Sequence, residues 1–338
     1  PERGMLTGES QRAFLPEPAL LDTALRMSDF SRKNAAFELA RKRKKEGDGA
    51  PEALRGIGLA VGCQASGFFG AGEAGLGTAV KLSLDTAGKV RISCTAVPGG
   101  YALHRIWRRI AGESLGIPIE DVEIAGADTA GGPDSGPSAF SRNITIVTKL
   151  VEEACEQIKK KRFRSPLPLS VTKRHRPSRA AAWNDESFTG GACAALSWAA
   201  AVVEVRVDPL TFLPDIRGIW LAVDAGTILD EREARRTIEV GINQAVGWAL
   251  FERITHRRGE IPRDQFIGYR FPSSRDLPSP GIKFLEGIGK RPVKGIGELP
   301  LCCVPAAFAC ALGQAVGADI TGIPVSPRED IPAPEARP

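Results

Sequence analysis

Short segments with strand-like alternation and longer segments with helical spacing follow one another in mixed order along the chain, and this arrangement occurs twice. Val80, Leu82 and Leu84 alternate with polar residues, and Val90, Ile92 and Cys94 alternate again after a turn at 85–88, which predicts a β-hairpin with one buried face. Residues 102–115 are predicted to be helical. The apolar residues of 144–158 recur at the spacing of an amphipathic helix. A doubly wound sheet would need strands and helices in regular alternation. The mixed order therefore predicts an α+β fold with two mixed strand–helix subdomains.

Shifts in composition divide the chain into four parts. Residues 1–54 are predicted to form an N-terminal arm followed by a helix that begins at Ser31. Residues 55–165 and 191–338 are predicted to be the first and second subdomains. The segment between them, 166–190, is rich in proline and basic residues, which indicates a linker or an exposed excursion.

Several broad classes of protein are excluded by charge and hydropathy. The 338 residues carry a formal net charge of only +5, and the basic runs lack interleaved aromatic residues, so we expect no nucleic-acid partner. The longest apolar run, 194–203, is shorter than the roughly 20 residues that a membrane-spanning helix needs. No basic-then-apolar leader opens the chain, which argues against secretion.

The seven cysteines include no C-x-x-C pair and no clustered spacing suited to zinc or to an iron–sulfur centre. We therefore expect reduced thiols, mostly buried, in a cytoplasmic protein.

Two segments are rich in glycine. Residues 56–61 alternate glycine with apolar residues and predict a strand with close backbone neighbours. Residues 70–75 match G-x-G-x-x-G, but an alternating strand follows them where a dinucleotide-binding fold requires a helix. A flexible turn, or a backbone that approaches a ligand, is the favoured interpretation of this second segment.

A long polar loop, 128–143, leads into the N-terminus of the predicted amphipathic helix. Unpaired backbone N–H groups at a helix start favour anions. Ser138 and Ser141 would add hydroxyls and Arg142 a positive charge. The equally weighted alternative is a helix cap at Ser141 or Asn143.

Glu298 stands in the sequence Gly-Ile-Gly-Glu-Leu-Pro, among small and apolar residues. A carboxylate in such a setting is expected to be desolvated, which raises its pKa toward the range of a general base. The alternative is a capping glutamate before a helix that starts after Pro305. On these residues alone, the capping interpretation is favoured.

Taken together, nine segments of this sequence resemble the molybdenum hydroxylase family, the xanthine dehydrogenase and aldehyde oxidase group. The likeness is to the C-terminal half of the molybdopterin-binding subunit, which in some bacterial nicotinate and xanthine dehydrogenase-like complexes is a separate medium chain. The order and spacing of the segments carry the resemblance. They are residues 55–60, 82–92, 110–118, 128–129, 133–138, 203–208, 224–229, 266–269 and 294–300.

The resemblance implies a bound molybdenum–molybdopterin cofactor in its cytosine dinucleotide form, with the metal held through the pterin and no residue of this chain as its direct ligand. Glu298 would be the catalytic base. The other residues that the resemblance assigns to the cofactor are Gly100, Tyr101, Ser138, Ala139, Phe140, Ser141, Arg142 and Gly297.

The resemblance also implies the reaction and the partners. The substrate would be a small N-heteroaromatic compound, purine- or nicotinate-like, or an aldehyde, oxidised with water as the oxygen source. An N-terminal-half molybdopterin subunit would complete the site, and an iron–sulfur subunit and an FAD subunit would carry the electrons away.

Two departures from the family pattern bear on activity. Gly100-Tyr101-Ala102 stands where the family commonly has Gly-Gln-Gly, and Phe140 stands where a small alanine usually faces the metal. These changes support an alternative function, a non-catalytic structural partner subunit that keeps the fold, with or without the ability to bind cofactor. Glu298 in its complete Gly-Glu-Leu-Pro setting argues against that alternative.

Overall fold

The computed structural model of the protein describes residues 19–45, 53–97, 99, 101–176, 183–187, 189–262, 266–285 and 291–325. Its helices are α1 (Ala19–Ser28), α2 (Phe30–Lys45), α3 (Tyr101–Leu115), α4 (Thr148–Lys161), α5 (Glu231–Val246) and α6 (Leu299–Val316). Its strands are β1 (Leu54–Ser66), β2 (Ala79–Leu84), β3 (Val90–Ser93), β4 (Val122–Ile124), β5 (Leu169–Arg174), β6 (Ala195–Val207), β7 (Pro214–Asp224) and β8 (Gly281–Phe284). The described residues thus form an α+β fold, as the mixed order of patterns predicts.

The first sheet has the strand order β1-β6-β7-β8. Its strands β1, β6 and β7 are antiparallel neighbours, and β8 is parallel to β7. The sequence interpretation placed β1 in the subdomain 55–165, but β1 pairs along its whole length with β6, from Leu54 opposite Val207 to Ser66 opposite Ala195. The proposed division between 55–165 and 191–338 therefore does not separate the sheets.

Helix α6 packs on β1 and β6, and its backbone lies in direct contact with the glycines of β1. A Cβ atom at Gly58 would lie 2.2 Å from the Ala307 carbonyl oxygen, and one at Gly56 would lie 1.9 Å from that of Ala311. The glycines of 56–61 therefore let a helix backbone lie directly on the strand, which confirms the predicted strand with close backbone neighbours.

Among the described residues, α6 is also the one helix long and apolar enough to cross a membrane. More than half of it is buried inside the fold against the first sheet, which is the position of a core helix. At 18 residues, this apolar stretch is longer than the run 194–203, so the expectation that 194–203 is the longest apolar run is wrong. The run 194–203 supplies most of strand β6. The largest buried cluster, which includes Leu221 and Phe308, lies between this sheet and helices α5 and α6.

The second sheet has the order β4-β3-β2-β5, and α3 and α4 pack on it around Trp107 and Ile92. The predicted hairpin of β2 and β3 is confirmed, with Leu82 opposite Ile92. Strand β5 corrects the interpretation of 166–190 as a linker or exposed excursion, because Leu169–Arg174 pairs with β2. Its alternation is weak, since Val171 is its one fully buried residue, and pairing with β2 decides its conformation.

The N-terminal segment differs from the expected extended arm. Residues 19–28 form helix α1, which places Leu20 and Ala24 on the outer face of the first sheet. Three buried positions in ten residues, one of them the polar Ser28, give too short a pattern to predict a helix from the sequence alone. Residues 1–18 lie outside the described part of the chain.

A buried carboxylate connects α2 to the first sheet. Glu204 of β6 accepts hydrogen bonds from Lys33 Nζ at 2.8 Å and from Arg55 Nη2 at 2.7 Å. Burial raises the pKa of Glu204, but the hydrogen bonds and charges of these two cations outweigh burial and hold its pKa below the ordinary value of 4.5.

The cysteines are all free thiols, but they are not mostly buried as expected. Cys94, Cys155 and Cys303 are buried, Cys193 is half-buried, and Cys63, Cys302 and Cys310 are exposed. No group of three or more potential metal ligands occurs among the residues that the structure describes.

Candidate functional site

A cavity of 670 Å³ lies between the helices of the second sheet and the segments that follow β7 and precede α6. Its volume is in the range of small-molecule and cofactor sites. It brings together seven of the residues that the sequence assigned to a site: Ser138, Ala139, Phe140, Ser141, Arg142, Gly297 and Glu298. Gly100 and the side chain of Tyr101 lie outside the described residues, and the backbone of Tyr101 opens α3.

Four helices begin at this cavity. The first turns of α3 and α5 line it, as does the π-helical turn Asn143–Val147 that continues into α4, and Glu298 is the residue before α6. The backbone N–H groups of a helix start and its dipole both favour an anion. The lining is mainly apolar, and the N–H groups at two of these helix starts are already bonded, that of Glu298 to Gln64 and that of Glu233 to Asp230. The starts of α3 and of the turn Asn143–Val147 are the ones that suit a negatively charged group.

The alternative of a helix cap at Ser141 or Asn143 is not what the structure shows. Arg142 occupies the cap position before Asn143–Val147, and within the described chain its side chain makes no cap hydrogen bond. Ser141 Oγ accepts a hydrogen bond from Gln64, and Asn143 Nδ2 donates to the Val97 carbonyl at 2.8 Å.

Asn143 also has one buried side-chain atom without a hydrogen-bond partner in the described part of the chain. Its Oδ1 is buried and has no hydrogen-bond partner among the described residues. A buried acceptor of this kind costs free energy unless a ligand or water donates to it. Asn143 lines the cavity, but its covered Oδ1 does not face the open space, so this oxygen is not a contact for a ligand there.

Arg142 does not supply the free positive charge that the sequence suggested. Its side chain is fully buried, and Nε and Nη2 donate to the carboxylate of Glu73 at 2.8–3.0 Å. Nη1 donates to the carbonyls of Ser135 and Pro137, and Nη2 also donates to Thr78 Oγ1. The five N–H groups of the guanidinium are all used, so Arg142 holds the polar loop in place and leaves no charge for an anion.

Glu73 was missed by the sequence analysis, although it is the partner that Arg142 requires. It lies in the 3-10 helix Gly70–Leu76, which is the G-x-G-x-x-G segment, and strand β2 follows, as predicted. The sequence feature that could have indicated Glu73 is that it is the one carboxylate among the glycines and alanines of residues 70–75. The segment therefore presents Glu73 to the polar loop, and its glycines allow the tight turn.

Phe140 and Ser141 are held in an unusual backbone conformation. Both have positive φ, 48° and 54°, a region that costs a residue with a side chain on the order of 1 kcal/mol or more. The Phe140 carbonyl accepts the Gly67 N–H at 2.8 Å, and its ring meets Phe68 edge to face at 5.0 Å. The Phe140 side chain remains 47% exposed and forms part of the cavity wall.

Glu298 is exposed at the cavity, which contradicts the expected desolvation. The capping alternative is also not observed, because its side chain makes no cap hydrogen bond within the described chain. Helix α6 begins at Leu299, with Pro300 in its first turn, where proline lacks only an N–H that has no helical partner. The expected start after Pro305 is therefore wrong, and Glu298 directs its carboxylate to an open cavity.

A buried polar network behind the cavity connects its two walls. The Glu298 N–H donates to Gln64 Oε1 at 3.0 Å, and Gln64 Nε2 donates to Ser141 Oγ at 2.8 Å. Ser66 Oγ accepts the Gly295 N–H, and Ser197 Oγ donates to the Gly295 carbonyl at 2.6 Å. The sequence analysis did not assign Gln64, Ser66 or Ser197 to the site. The pattern that could have indicated them is a polar side chain inside an otherwise apolar strand.

Gly295 shows how closely the two walls approach. A Cβ atom at this position would lie 2.0 Å from the Cβ of Ser141, so only glycine fits. The preceding residue, Lys294, is buried at the cavity wall and donates to the fully buried Asp224 at 3.1 Å. The segment before Glu298 is thus fixed by close packing, backbone hydrogen bonds and a buried ion pair.

The rim of the cavity carries a network of ion pairs between α3 and α5. Asp230 caps α5 by accepting the Glu233 N–H at 3.1 Å. Arg105 lies 2.6 Å from Glu233, and Arg109 lies 3.6 Å from Asp230. The carboxylates at the start of α5 are therefore paired with cations from α3.

The molybdopterin cofactor-binding domain model matches residues 27–165 and 161–278 of this chain. The chain is 27% identical over 310 residues to a probable xanthine dehydrogenase subunit of Bacillus subtilis, covering 81% of this chain and 41% of that protein. It is 24% identical over 304 residues to the aldehyde oxidoreductase of Megalodesulfovibrio gigas, covering 83% and 32%. The chain thus spans less than half the length of these relatives.

Among solved structures, the aldehyde oxidoreductase from Desulfovibrio gigas superposes with a TM-score of 0.74 at 22% identity, covering 94% of this chain and 36% of that one. At this identity the likeness establishes a shared fold. It confirms the predicted α+β architecture of the molybdopterin-binding type.

Proposed function

This chain belongs to the molybdopterin cofactor-binding domain family, and we propose that its cavity forms one part of the cofactor and substrate site of a molybdenum hydroxylase. The observation that carries the proposal is the convergence of Glu298 with the loop residues Ser138 to Ser141 on one cavity. Because the chain spans less than half of its relatives, we assign the activity to a complex that contains this chain and the rest of the molybdopterin subunit.

The residues around the cavity fit a molybdopterin cofactor. The starts of α3 and of the turn Asn143–Val147 offer backbone N–H donors to its phosphate, and two phosphates in the cytosine dinucleotide form would use both. We assign the backbone and hydroxyl groups of 138–141 and Gly297 to cofactor contacts, and we assign Arg142 to holding that loop.

When bound, the cofactor would supply molybdenum chemistry that oxidises an electron-poor C–H of an N-heteroaromatic compound or an aldehyde, with water as the oxygen source. The part of this chain is to position the reactants and to move a proton. The Glu298 carboxylate, placed at the open cavity, accepts the proton that the oxygen nucleophile releases on attack. Phe140 and the apolar lining exclude water from the planar substrate.

The exposure of Glu298 supports the assignment of a covering partner. A general base works best when its pKa is raised toward the working pH, which requires removal of water. We propose that the N-terminal half of the molybdopterin subunit closes this side of the cavity and desolvates Glu298. Partner subunits with iron–sulfur clusters and FAD would then take the electrons, in the cytoplasm.

One observation favours the second candidate, a non-catalytic partner subunit. The Phe140 ring projects into the cavity where the family pattern has a small residue. Such a subunit would retain cofactor binding without turnover, because the ring would occupy the space of the substrate.

Both candidates are tested by one experiment on the assembled complex. The chain is co-expressed with its partner subunits, and molybdenum content and hydroxylation rate are measured for the wild type and Glu298→Gln. Loss of a general base should lower kcat on the order of 10²-fold or more, with molybdenum content unchanged. Wild-type complex with molybdenum but without turnover on purines, nicotinate or aldehydes would support the non-catalytic candidate. Absence of molybdenum would refute the enzyme and leave only a structural partner that binds no cofactor.

A further inference from the structure

Gln64 lies behind the cavity wall, near the C-terminal end of β1, which is an edge strand of the first sheet. It is a residue of β1 opposite Ser197 of β6, and only 4% of it is exposed. Burying an amide away from water is costly unless its polar atoms find partners. Both of its polar atoms do, and each partner belongs to a different wall of the cavity.

The chemistry of the partners fixes which way the Gln64 amide points. The backbone N–H of Glu298 can only donate, so the atom 3.0 Å from it must be the carbonyl oxygen Oε1. The amide nitrogen Nε2 then faces Ser141, and since Nε2 can only donate, Ser141 Oγ must accept at 2.8 Å. The orientation of the amide therefore follows from the fixed polarity of one peptide group.

This orientation has a consequence for the Ser141 hydroxyl. Because Oγ accepts a hydrogen bond from Gln64 Nε2, the single hydrogen of the hydroxyl points in another direction. Ser141 lines the cavity, so a ligand there meets a hydroxyl prepared to donate. On the opposite wall, the same amide holds the N–H of the residue that carries the Glu298 carboxylate.

We propose that Gln64 is a positioning residue that couples the two walls, so that the cavity presents the Ser141 hydroxyl as a donor to the cofactor while the Glu298 backbone stays fixed. This inference rests on the proposed function. Gln64 does not line the cavity, so it acts through its two partners.

The test uses two replacements of nearly the same size in the assembled complex. Gln64→Glu keeps an acceptor for the Glu298 N–H but removes the donor, so the Ser141 hydroxyl turns to donate to the new carboxylate. Gln64→Met removes both hydrogen bonds. The Glu298 amide should therefore exchange its hydrogen at the wild-type rate in Gln64→Glu and about 5-fold faster or more in Gln64→Met.

Molybdenum and pterin content provide the second measurement. Both replacements should lower cofactor retention, about 5-fold in affinity for the loss of one hydrogen bond. Ser141→Ala should lower it by a similar factor, and combining Ser141→Ala with Gln64→Glu should add nothing further, because both remove the same donor.

Gln314 offers a matched control. It is also a glutamine that accepts a backbone N–H, from Ile57 at 2.7 Å, and it donates to Asn34 at 2.6 Å, away from the cavity. Gln314→Met should lower stability as Gln64→Met does while leaving cofactor content at the wild-type level.

Two results would overturn the role of Gln64: unchanged exchange of the Glu298 amide in Gln64→Met, or an equal loss of cofactor in Gln64→Met and Gln314→Met. A wild-type complex without molybdenum would refute the proposed function instead, and exchange of the Glu298 amide alone would then decide whether Gln64 couples the walls.

Discussion

The buried ion pair of Arg142 and Glu73 gives a prediction with a definite magnitude. Arg142 is fully buried and Glu73 is 7% exposed, and the guanidinium donates to the carboxylate through both Nε and Nη2. Replacing Glu73 by Gln preserves shape but leaves a buried cation without its counterion. Breaking a buried pair from one side costs about 3–5 kcal/mol, so Glu73→Gln should lower the free energy of unfolding by that amount.

The chain itself supplies an exposed pair for comparison. Arg217 and Asp215 lie 3.1 Å apart, with side chains 55% and 54% exposed. Water screens such a pair, so Asp215→Asn should change the free energy of unfolding by only about 0–1 kcal/mol. Urea denaturation of the full chain, followed by circular dichroism, measures both values under one condition.

A double replacement separates loss of the pair from loss of packing. In Glu73→Gln combined with Arg142→Met, the buried charge is removed together with its counterion, so the double variant should be more stable than Glu73→Gln alone. The reasoning would be refuted if Glu73→Gln cost no more than Asp215→Asn, since the guanidinium would then be hydrated or otherwise neutralised. Because Arg142 holds the loop at the cavity, cofactor content of the assembled complex should fall with stability.

Three further predictions concern other parts of the molecule. Gly58→Ala should lower the free energy of unfolding by about 3 kcal/mol in urea denaturation, because the new Cβ would meet the backbone of α6. Gly75→Ala is the control and should lower it far less, because a Cβ there has nothing within 4 Å. Equal losses of unfolding free energy would contradict the close approach of α6 to β1. The lowered pKa of Glu204 contributes stability above about pH 4.5 that is lost as the pH falls toward its folded pKa. In Glu204→Gln, the free energy of unfolding should therefore decrease less steeply with falling pH below about pH 4.5. An unchanged pH dependence would show that the ion pairs of Glu204 do not cause this decrease. Phe140→Ala should widen the cavity. In steady-state kinetics of the assembled enzyme, kcat/KM for bulky heteroaromatic substrates should therefore rise about 10-fold relative to kcat/KM for small aldehydes. An unchanged ratio would show that the Phe140 ring does not contact the substrate.

Local patterns predicted much of the fold correctly. The hairpin of β2 and β3, the helix after residue 100 and the strand with close backbone neighbours all follow from periods of two or 3.6 residues and from glycine placement. Strand β5 was missed because its partner β2 lies about 90 residues earlier in the chain and its own alternation is weak. Helix α1 was missed for a similar reason, since its buried side is recognisable only against the first sheet.

For the candidate site, motif resemblance drew together residues as far apart in sequence as Ser138 and Glu298, and the tertiary structure places them on one cavity. Motifs could not predict the electrostatic state of these residues. Whether a charge is free or neutralised depends on partners such as Glu73, 69 positions before Arg142. The exposure of Glu298 likewise depends on which chain segments cover the N-terminus of α6.

By itself, the sequence determined the alternation of strands and helices, the α+β class and the family, because these depend on short-range periodicity and on the order of motifs. The tertiary structure alone decided how β1 is assigned to a sheet, that Arg142 holds a loop, and that Gln64 links the two cavity walls. Each of these depends on contacts between residues tens to hundreds of positions apart. Such contacts form only when the chain is folded, and no local pattern records them.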